Sequence, residues 1–313
     1  MGKIDLSVEL APGNRNGLKL DNPLILASGT CGYVAELDGR IDIGLPGAFV
    51  CKGTTLEPRQ GNRQPRIAET GEGMLNSIGL ENIGIQSLIN KKAPAWRKLD
   101  ICVLVNIAGS TVDEYVEAAR RLEGVSGVKG IELNISCPNI RSGGVEFGVD
   151  PGAAAGITRS VRKATSLPLV VKLSPEAGRI EEVALQVTDA GADAISLINT
   201  FKGMAIDIRK RRPLIGNTTG GLSGPVIKPV ALAMVYRVAA MINIPVIACG
   251  GIASAGDALE FIMAGATAFQ LGTAFLVEPD CPARILDGIK KFMAEERLES
   301  IREIIGAANP GLN

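Results

Sequence analysis

Residues 245–274 read PVIACGGIASAGDALEFIMAGATAFQLGTA. An apolar run reaches Cys249 and stops at Gly250 and Gly251. Ser254 then stands where a helix would be capped, residues 254–264 carry a helical pattern, and Gly265 ends it. A second apolar run finishes at Gly272 and Thr273. Strand, turn, helix and strand in this order make the unit of a parallel sheet, whose neighbouring strands need a crossover that a helix supplies.

The same unit recurs along the chain. PLILAS (23–28), AFVCKG (48–53), CVLVNIAG (102–109), IELNIS (131–136), LVVKLS (169–174) and AISLINT (194–200) are further apolar runs, each closing on small or polar residues. Val, Ile and Leu on successive positions suit strands buried on both faces. Helical patterns fall between them at 110–122, 180–190 and 225–242. Val112, Tyr115, Val116, Ala119 and Leu122 show helical spacing in the first of these. Alternation of this kind predicts an α/β fold, a (β/α)8 TIM barrel in one domain over residues 1–313. A doubly wound open sheet is the alternative, weakened because no GxGxxG follows the first strand. Two connections, 54–80 and 201–224, exceed what a barrel needs and are expected as long loops over its C-terminal mouth.

Composition narrows the function. Of 313 residues 46% are hydrophobic, enough for one large core, and 33 basic residues balance 33 acidic ones. A balanced charge gives no broad attraction to nucleic acid or to an anionic membrane. The N-terminus, MGKIDLSVEL, lacks a basic segment followed by an apolar stretch, and no apolar run is long enough to span a bilayer. A cytoplasmic protein is expected. Histidine is absent, which excludes Ser-His-Asp hydrolysis and His-ligated metal catalysis and leaves proton transfer to Cys, Lys, Asp, Glu, Tyr or water. Cys31, Cys51, Cys102, Cys137, Cys249 and Cys281 are scattered without a CxxC pair, so neither a disulfide framework nor a metal site is expected.

Polar residues gather at the strand ends: Lys52, Asn106, Asn134, Lys172, Asn199 with Thr200, Gly250 with Gly251, and Gly272 with Thr273. One polar tip is an ordinary turn cap; a set of them on the face where barrels place their active sites marks a site. The glycines after the last two strands suit a phosphate, because backbone N–H groups approach closely where no side chain intervenes. Cys137 is the exception among the cysteines. It sits in IELNISCPN (131–139), where the strand breaks at Asn134 and Pro138 forbids its continuation. A thiol placed there is a natural base in a chain without histidine. Gly143, Gly144 and Gly148 follow it, so SCPNIRSGGVEFG (136–148) reads as a hinged lid.

CKGTT, GMLNSIGLENIG, ELNISCPN, VVKLSP, LINTFKGMAID, GGLSGPVIKPVAL and CGGI with QLGTA occur in order at these strand ends. With them, roughly residues 4 to 305 resemble the catalytic subunit of class 1B dihydroorotate dehydrogenases. NTFKGMAID and GLSGPVIKPVAL favour class 1B over the fumarate-linked class 1A. The resemblance implies an FMN barrel that oxidises (S)-dihydroorotate to orotate in pyrimidine biosynthesis, Cys137 taking a proton from C5 as hydride leaves C6 for the flavin. It implies that Ser28, Lys52, Gly53, Asn106, Asn134, Lys172, Ile198, Gly224, Gly250, Gly251, Gly272 and Thr273 hold FMN. Lys52, Asn76, Ser77, Ile78, Gly79, Leu80, Asn134, Asn199 and Thr200 would hold the substrate. It further implies a partner subunit with FAD and a [2Fe–2S] cluster that passes electrons to NAD, on a homodimer core of a heterotetramer. The basic run Arg209 to Arg212 is read as a solvated loop rather than a partner contact. Rival readings are a tRNA-dihydrouridine synthase, which should carry a basic RNA-binding surface, dihydropyrimidine dehydrogenase, a far longer chain, and inosine monophosphate dehydrogenase, whose cysteine is a nucleophile. A non-catalytic barrel that binds a phosphorylated metabolite is the rival from outside the enzymes.

Overall fold

The computed structural model describes residues 4–136, 138–139 and 145–312. Eight parallel strands close into a barrel: β1 (Leu24–Leu26), β2 (Ala48–Val50), β3 (Val103–Ile107), β4 (Gly130–Asn134), β5 (Leu169–Lys172), β6 (Ala194–Leu197), β7 (Val246–Cys249) and β8 (Ala268–Leu271). Each strand pairs with its sequence neighbour, and β8 closes on β1 with Phe269 opposite Leu24. The open-sheet alternative falls with that closure. The strands are buried almost throughout, packed inward on each other and outward on helices, which is why their apolar runs do not alternate.

The quoted stretch folds as read. The helix Ala255–Met263 joins β7 to β8, with Ser254 Oγ accepting from Asp257 N at 3.1 Å and Asp257 Oδ2 accepting from Ser254 N at 2.9 Å. Gly265 follows at φ +118°, where a Cβ would lie 2.5 Å from Ala239 Cβ, so only glycine fits this stop. The helix Val112–Leu122 is capped by Thr111 and buries Tyr115, Ala118, Ala119 and Leu122. Tyr115 donates to the carbonyl of Asn134 at 2.6 Å, which ties this helix to the tip of β4. Residues 225–242 begin differently from the expectation: a 3-10 turn, Pro225–Ile227, precedes the α-helix Lys228–Ala239. Pro225 and Pro229 lack the N–H that a regular first turn would otherwise present.

The two long connections are not plain loops. Ile67–Thr70 and Gly73–Asn76 from the first pair with Gly220–Ser223 and Phe201–Gly203 from the second in one four-stranded antiparallel sheet over the mouth. Gly221 faces Asn76 in the register, and a Cβ at Gly221 would collide with Thr200 Oγ1, which lets this sheet lie directly on the tip of β6. Arg209, Lys210, Arg211 and Arg212 are exposed on a small ribbon beyond it. Among the described residues no helix is long and apolar enough to cross a membrane.

Candidate active site

The C-terminal ends of the strands and the sheet above them enclose two cavities with a shared wall of Asn76, Ile78, Asn199 and Thr200. The first is the cleft beside the glycines that follow the last two strands. Ser28, Lys172, Ile198, Gly224, Gly250, Gly251, Gly272 and Thr273 line it. Four of its glycines are left-handed, Gly29 at φ +87°, Gly224 at +100°, Gly250 at +133° and Gly251 at +78°. Thr273 donates to Ser223 Oγ at 2.8 Å, and Ser28 donates to the Cys51 carbonyl at 3.1 Å. The second cavity is lined by Ser77, Gly79, Leu80 and Asn134, with Asn76, Ile78, Asn199 and Thr200 of the shared wall.

Amides organise the second cavity. Asn199 Nδ2 donates to Asn134 Oδ1 at 3.2 Å and to Ser136 Oγ at 3.0 Å. Asn76 Nδ2 donates to the Gly221 carbonyl at 3.3 Å, and Ser77 Oγ accepts from Asn62 and Asn217 at 2.8 and 3.1 Å. Such a wall offers donors and acceptors in fixed directions, which suits a polar heterocycle. Arg59, Lys202 and Glu176 also line it, as do Ser136, Ser174 and Asn217. Arg59, Lys202 and Asn217 were not singled out in the sequence, because a charged or small polar residue in a long connection looks like surface.

Three expected residues stand apart. Lys52 lines a separate recess with Arg59 and Glu81 rather than either cavity. Gly53 packs beneath, where a Cβ would come 3.0 Å from Asn106 Oδ1. Asn106 itself is 1% exposed and lines neither cavity; its Nδ2 donates to Glu132, and its Oδ1 has no hydrogen-bond partner among the described residues. Cys137 lies outside the described residues, as do Gly143 and Gly144 of the expected lid. Gly148 is described, its N–H donating to the Ile135 carbonyl at 2.8 Å.

The electrostatics at the closed end centre on Lys172, which donates to Gln270 Oε1 at 2.9 Å and lies 3.8 Å from Glu132. Burial works against its ammonium, yet Cys249 and Glu132 beside it hold its pKa above the ordinary lysine value. Glu132 supplies the charge, because burial pushes the Cys249 thiol up and keeps it neutral. Burial acts the same way on the other described thiols: Cys51 and Cys102 are raised to about 12 and Cys281 to about 11, and Cys31 is raised as well.

A family model for dihydroorotate dehydrogenase matches residues 13–293. The chain belongs to the dihydroorotate dehydrogenase family. It is 50% identical over 307 residues to a protein of Citrifermentans bemidjiense, covering 98% of this chain and 99% of that one. A protein of Trichlorobacter lovleyi is 51% identical over 302 residues, covering 96% and 98%, and one of Desulforamulus reducens is 48% identical over 307 residues, covering 98% and 99%. All three relatives are named dihydroorotate dehydrogenase B (NAD(+)), catalytic subunit. The family is flavin-dependent. The cleft fits such a group: glycine backbone at one end for a phosphate, apolar Ile198 on its wall, and the Lys172 ammonium at the closed end.

Proposed function

We propose that this chain is the catalytic subunit of an NAD-linked dihydroorotate dehydrogenase that oxidises (S)-dihydroorotate to orotate in pyrimidine biosynthesis. The observation that carries the reading is similarity at 50% identity over 98% of the chain to catalytic subunits of that name, in a chain where the tips of β1 and β4 to β8 line two adjoining cavities. The flavin is read as FMN, a mononucleotide whose single phosphate suits the backbone at Gly250, Gly251 and Gly272 with Thr273 beside it. FMN bound in the cleft would supply a two-electron acceptor for hydride.

The chain's own residues account for the rest. Ser28, Lys52, Gly53, Asn106, Asn134, Lys172, Ile198 and Gly224 complete the FMN set. Asn76, Ser77, Ile78, Gly79, Leu80, Asn134, Asn199, Thr200 and Lys52 hold the pyrimidine ring and its carboxylate. Lys52 reaches neither cavity in this structure, so its assignment rests on the resemblance and on its place at the end of β2. Cys137 is the base that removes the proton from C5. The elevated pKa values of the five described thiols leave no other cysteine for that task, and histidine is absent. The relatives' name, a catalytic subunit linked to NAD(+), supports a partner subunit that passes the electrons on; that this partner carries FAD and a [2Fe–2S] cluster, and that the core is a homodimer in the cytoplasm, rests on the resemblance. The whole chain is read as one FMN-binding domain.

The test is anaerobic. Purified yellow protein mixed with dihydroorotate should lose its flavin absorbance near ~450 nm as orotate forms, the oxidised cofactor being the acceptor. A folded, fully loaded protein that stays yellow would sink the substrate assignment and return the uridine-reducing barrel to consideration.

A further inference from the structure

Just inside the closed end of the cleft, the barrel interior holds a polar cluster centred on Glu132 of β4, which has no exposed surface. Its Oε1 accepts from Asn106 Nδ2 of β3 at 2.7 Å and lies 3.8 Å from Lys172 Nζ of β5. Its Oε2 accepts from Gln270 Nε2 of β8 at 2.7 Å and from Ser196 Oγ of β6 at 3.2 Å. Donors from four other strands thus converge on one side chain. A carboxylate that accepts on both oxygens and donates on neither meets all of them.

That chemistry fixes two neighbouring amides. With Nδ2 of Asn106 committed to Glu132, its Oδ1 becomes the buried acceptor left without a partner. With Nε2 of Gln270 committed, its Oε1 faces Lys172 and receives the ammonium at 2.9 Å. A buried unpaired acceptor is rare in a folded protein unless a ligand completes it.

We propose that Glu132 is a positioning residue for the flavin: from behind the cleft wall it fixes the Asn106 amide with its carbonyl free as an acceptor, and it balances the Lys172 ammonium, which lines the cleft. The inference rests on the FMN reading of the cleft. An isosteric amide cannot do the same work. In E132Q the new NH₂ would meet Asn106 Nδ2, or Gln270 Nε2 and Ser196. In the first case Asn106 turns over and offers N–H where it offered a carbonyl; in the second, Gln270 can turn an N–H toward Lys172. Glu132, Gln270 and Cys249 face Lys172 from β4, β8 and β7. With the carboxylate gone and Cys249 neutral, burial acts on Lys172 unopposed and its proton leaves at lower pH.

The experiment titrates apoprotein with FMN by flavin fluorescence, for wild type, E132Q and E132D, from about pH 6 to 9, below the ordinary lysine value. The midpoint potential of the bound flavin is followed over the same range. In E132Q the dissociation constant should rise about tenfold or more, the loss expected when one buried hydrogen bond is mismatched. Affinity and potential should also acquire a pH step that wild type lacks. E132D keeps an acceptor-only side chain and should restore the flat profile. Wild-type apoprotein that does not take up FMN overturns the flavin reading itself. Uptake by wild type with an unaltered E132Q overturns the role of Glu132 alone. Should E132Q not fold, a pH step in E132D overturns the role and a flat profile supports it.

Discussion

Each end of this barrel carries a carboxylate that gathers donors, and the two are resolved differently. At the N-terminal end, Asp193 Oδ2 accepts from Arg162 Nη1 at 2.8 Å, Asn14 Nδ2 at 3.0 Å and Leu169 N at 2.8 Å. The helix Pro151–Arg162, the N-terminal segment and the start of β5 meet there. At the C-terminal end Glu132 gathers Asn106, Gln270, Ser196 and Lys172, yet the arrangement leaves Asn106 Oδ1 unpaired. Both carboxylates are satisfied, but only the upper cluster strands a neighbour. A buried polar atom without a partner costs roughly 1–3 kcal/mol, so the fold spends stability where a ligand is to be read and none at the other end. This agrees with the general division of barrels into a catalytic top and a stabilising bottom.

The division predicts that rate and stability respond to different ends. The largest effect should come from the mouth. Cys137→Ala should leave FMN bound and slow flavin reduction by dihydroorotate by about 10²–10⁴-fold, the usual contribution of a general base, in stopped-flow mixing. Its melting temperature should stay close to wild type. An unimpaired half-reaction would remove Cys137 from the mechanism, and the mouth would then differ from the bottom in ligand binding only.

The opposite signature is expected from Asp193→Ala. It leaves three donors around a half-buried site without their acceptor and should cost about 1–3 kcal/mol. In a thermal melt that is a fall of several degrees. Reduction rate per bound flavin should hold. A slowed reduction with an unchanged melt would invert the comparison and show that the bottom cluster couples to the chemistry.

The upper cluster was the harder one to see in the sequence. The strand tips were legible because Asn134, Lys172 and Asn199 each end an apolar run, and a polar residue there has few structural reasons. Ser254, Gly265 and the paired glycines were legible because capping and left-handed turns restrict the residue type. Glu132, Ser196 and Gln270 were not. Each sits inside a strand buried on both faces, where no alternation tells inward from outward, and their meaning lies in contacts across the barrel. The sheet over the mouth escaped for a related reason: GMLN (73–76) and GGLS (220–223) are too short and too glycine-rich to read as strands until they pair. Lys52 was grouped with the other tips, but a strand end fixes a residue's position and not the reach of a long side chain.

The smallest expected effect sharpens what the bottom of the barrel does. Glu123 accepts from the Ser166 backbone N–H at 2.8 Å and from the hydroxyls of Ser166 and Thr165, joining the end of one helix to the connection before β5. The Ser166 hydroxyl, and then that of Thr165, lowers its carboxyl below the ordinary glutamate value of 4.5. A depressed folded pKa fixes the sign. The stabilisation is complete above that ordinary value and is lost as pH falls through the lower, folded one. Melts of wild type and Glu123→Gln should therefore differ at neutral pH and converge as the medium becomes more acidic than about pH 4, with the flavin spectrum the same in both. The side chain is exposed, so the gap should be small beside that of Asp193→Ala. A gap that persists unchanged into acid would mean that Glu123 acts by packing rather than by charge, and only Asp193 would then hold the bottom of the barrel electrostatically.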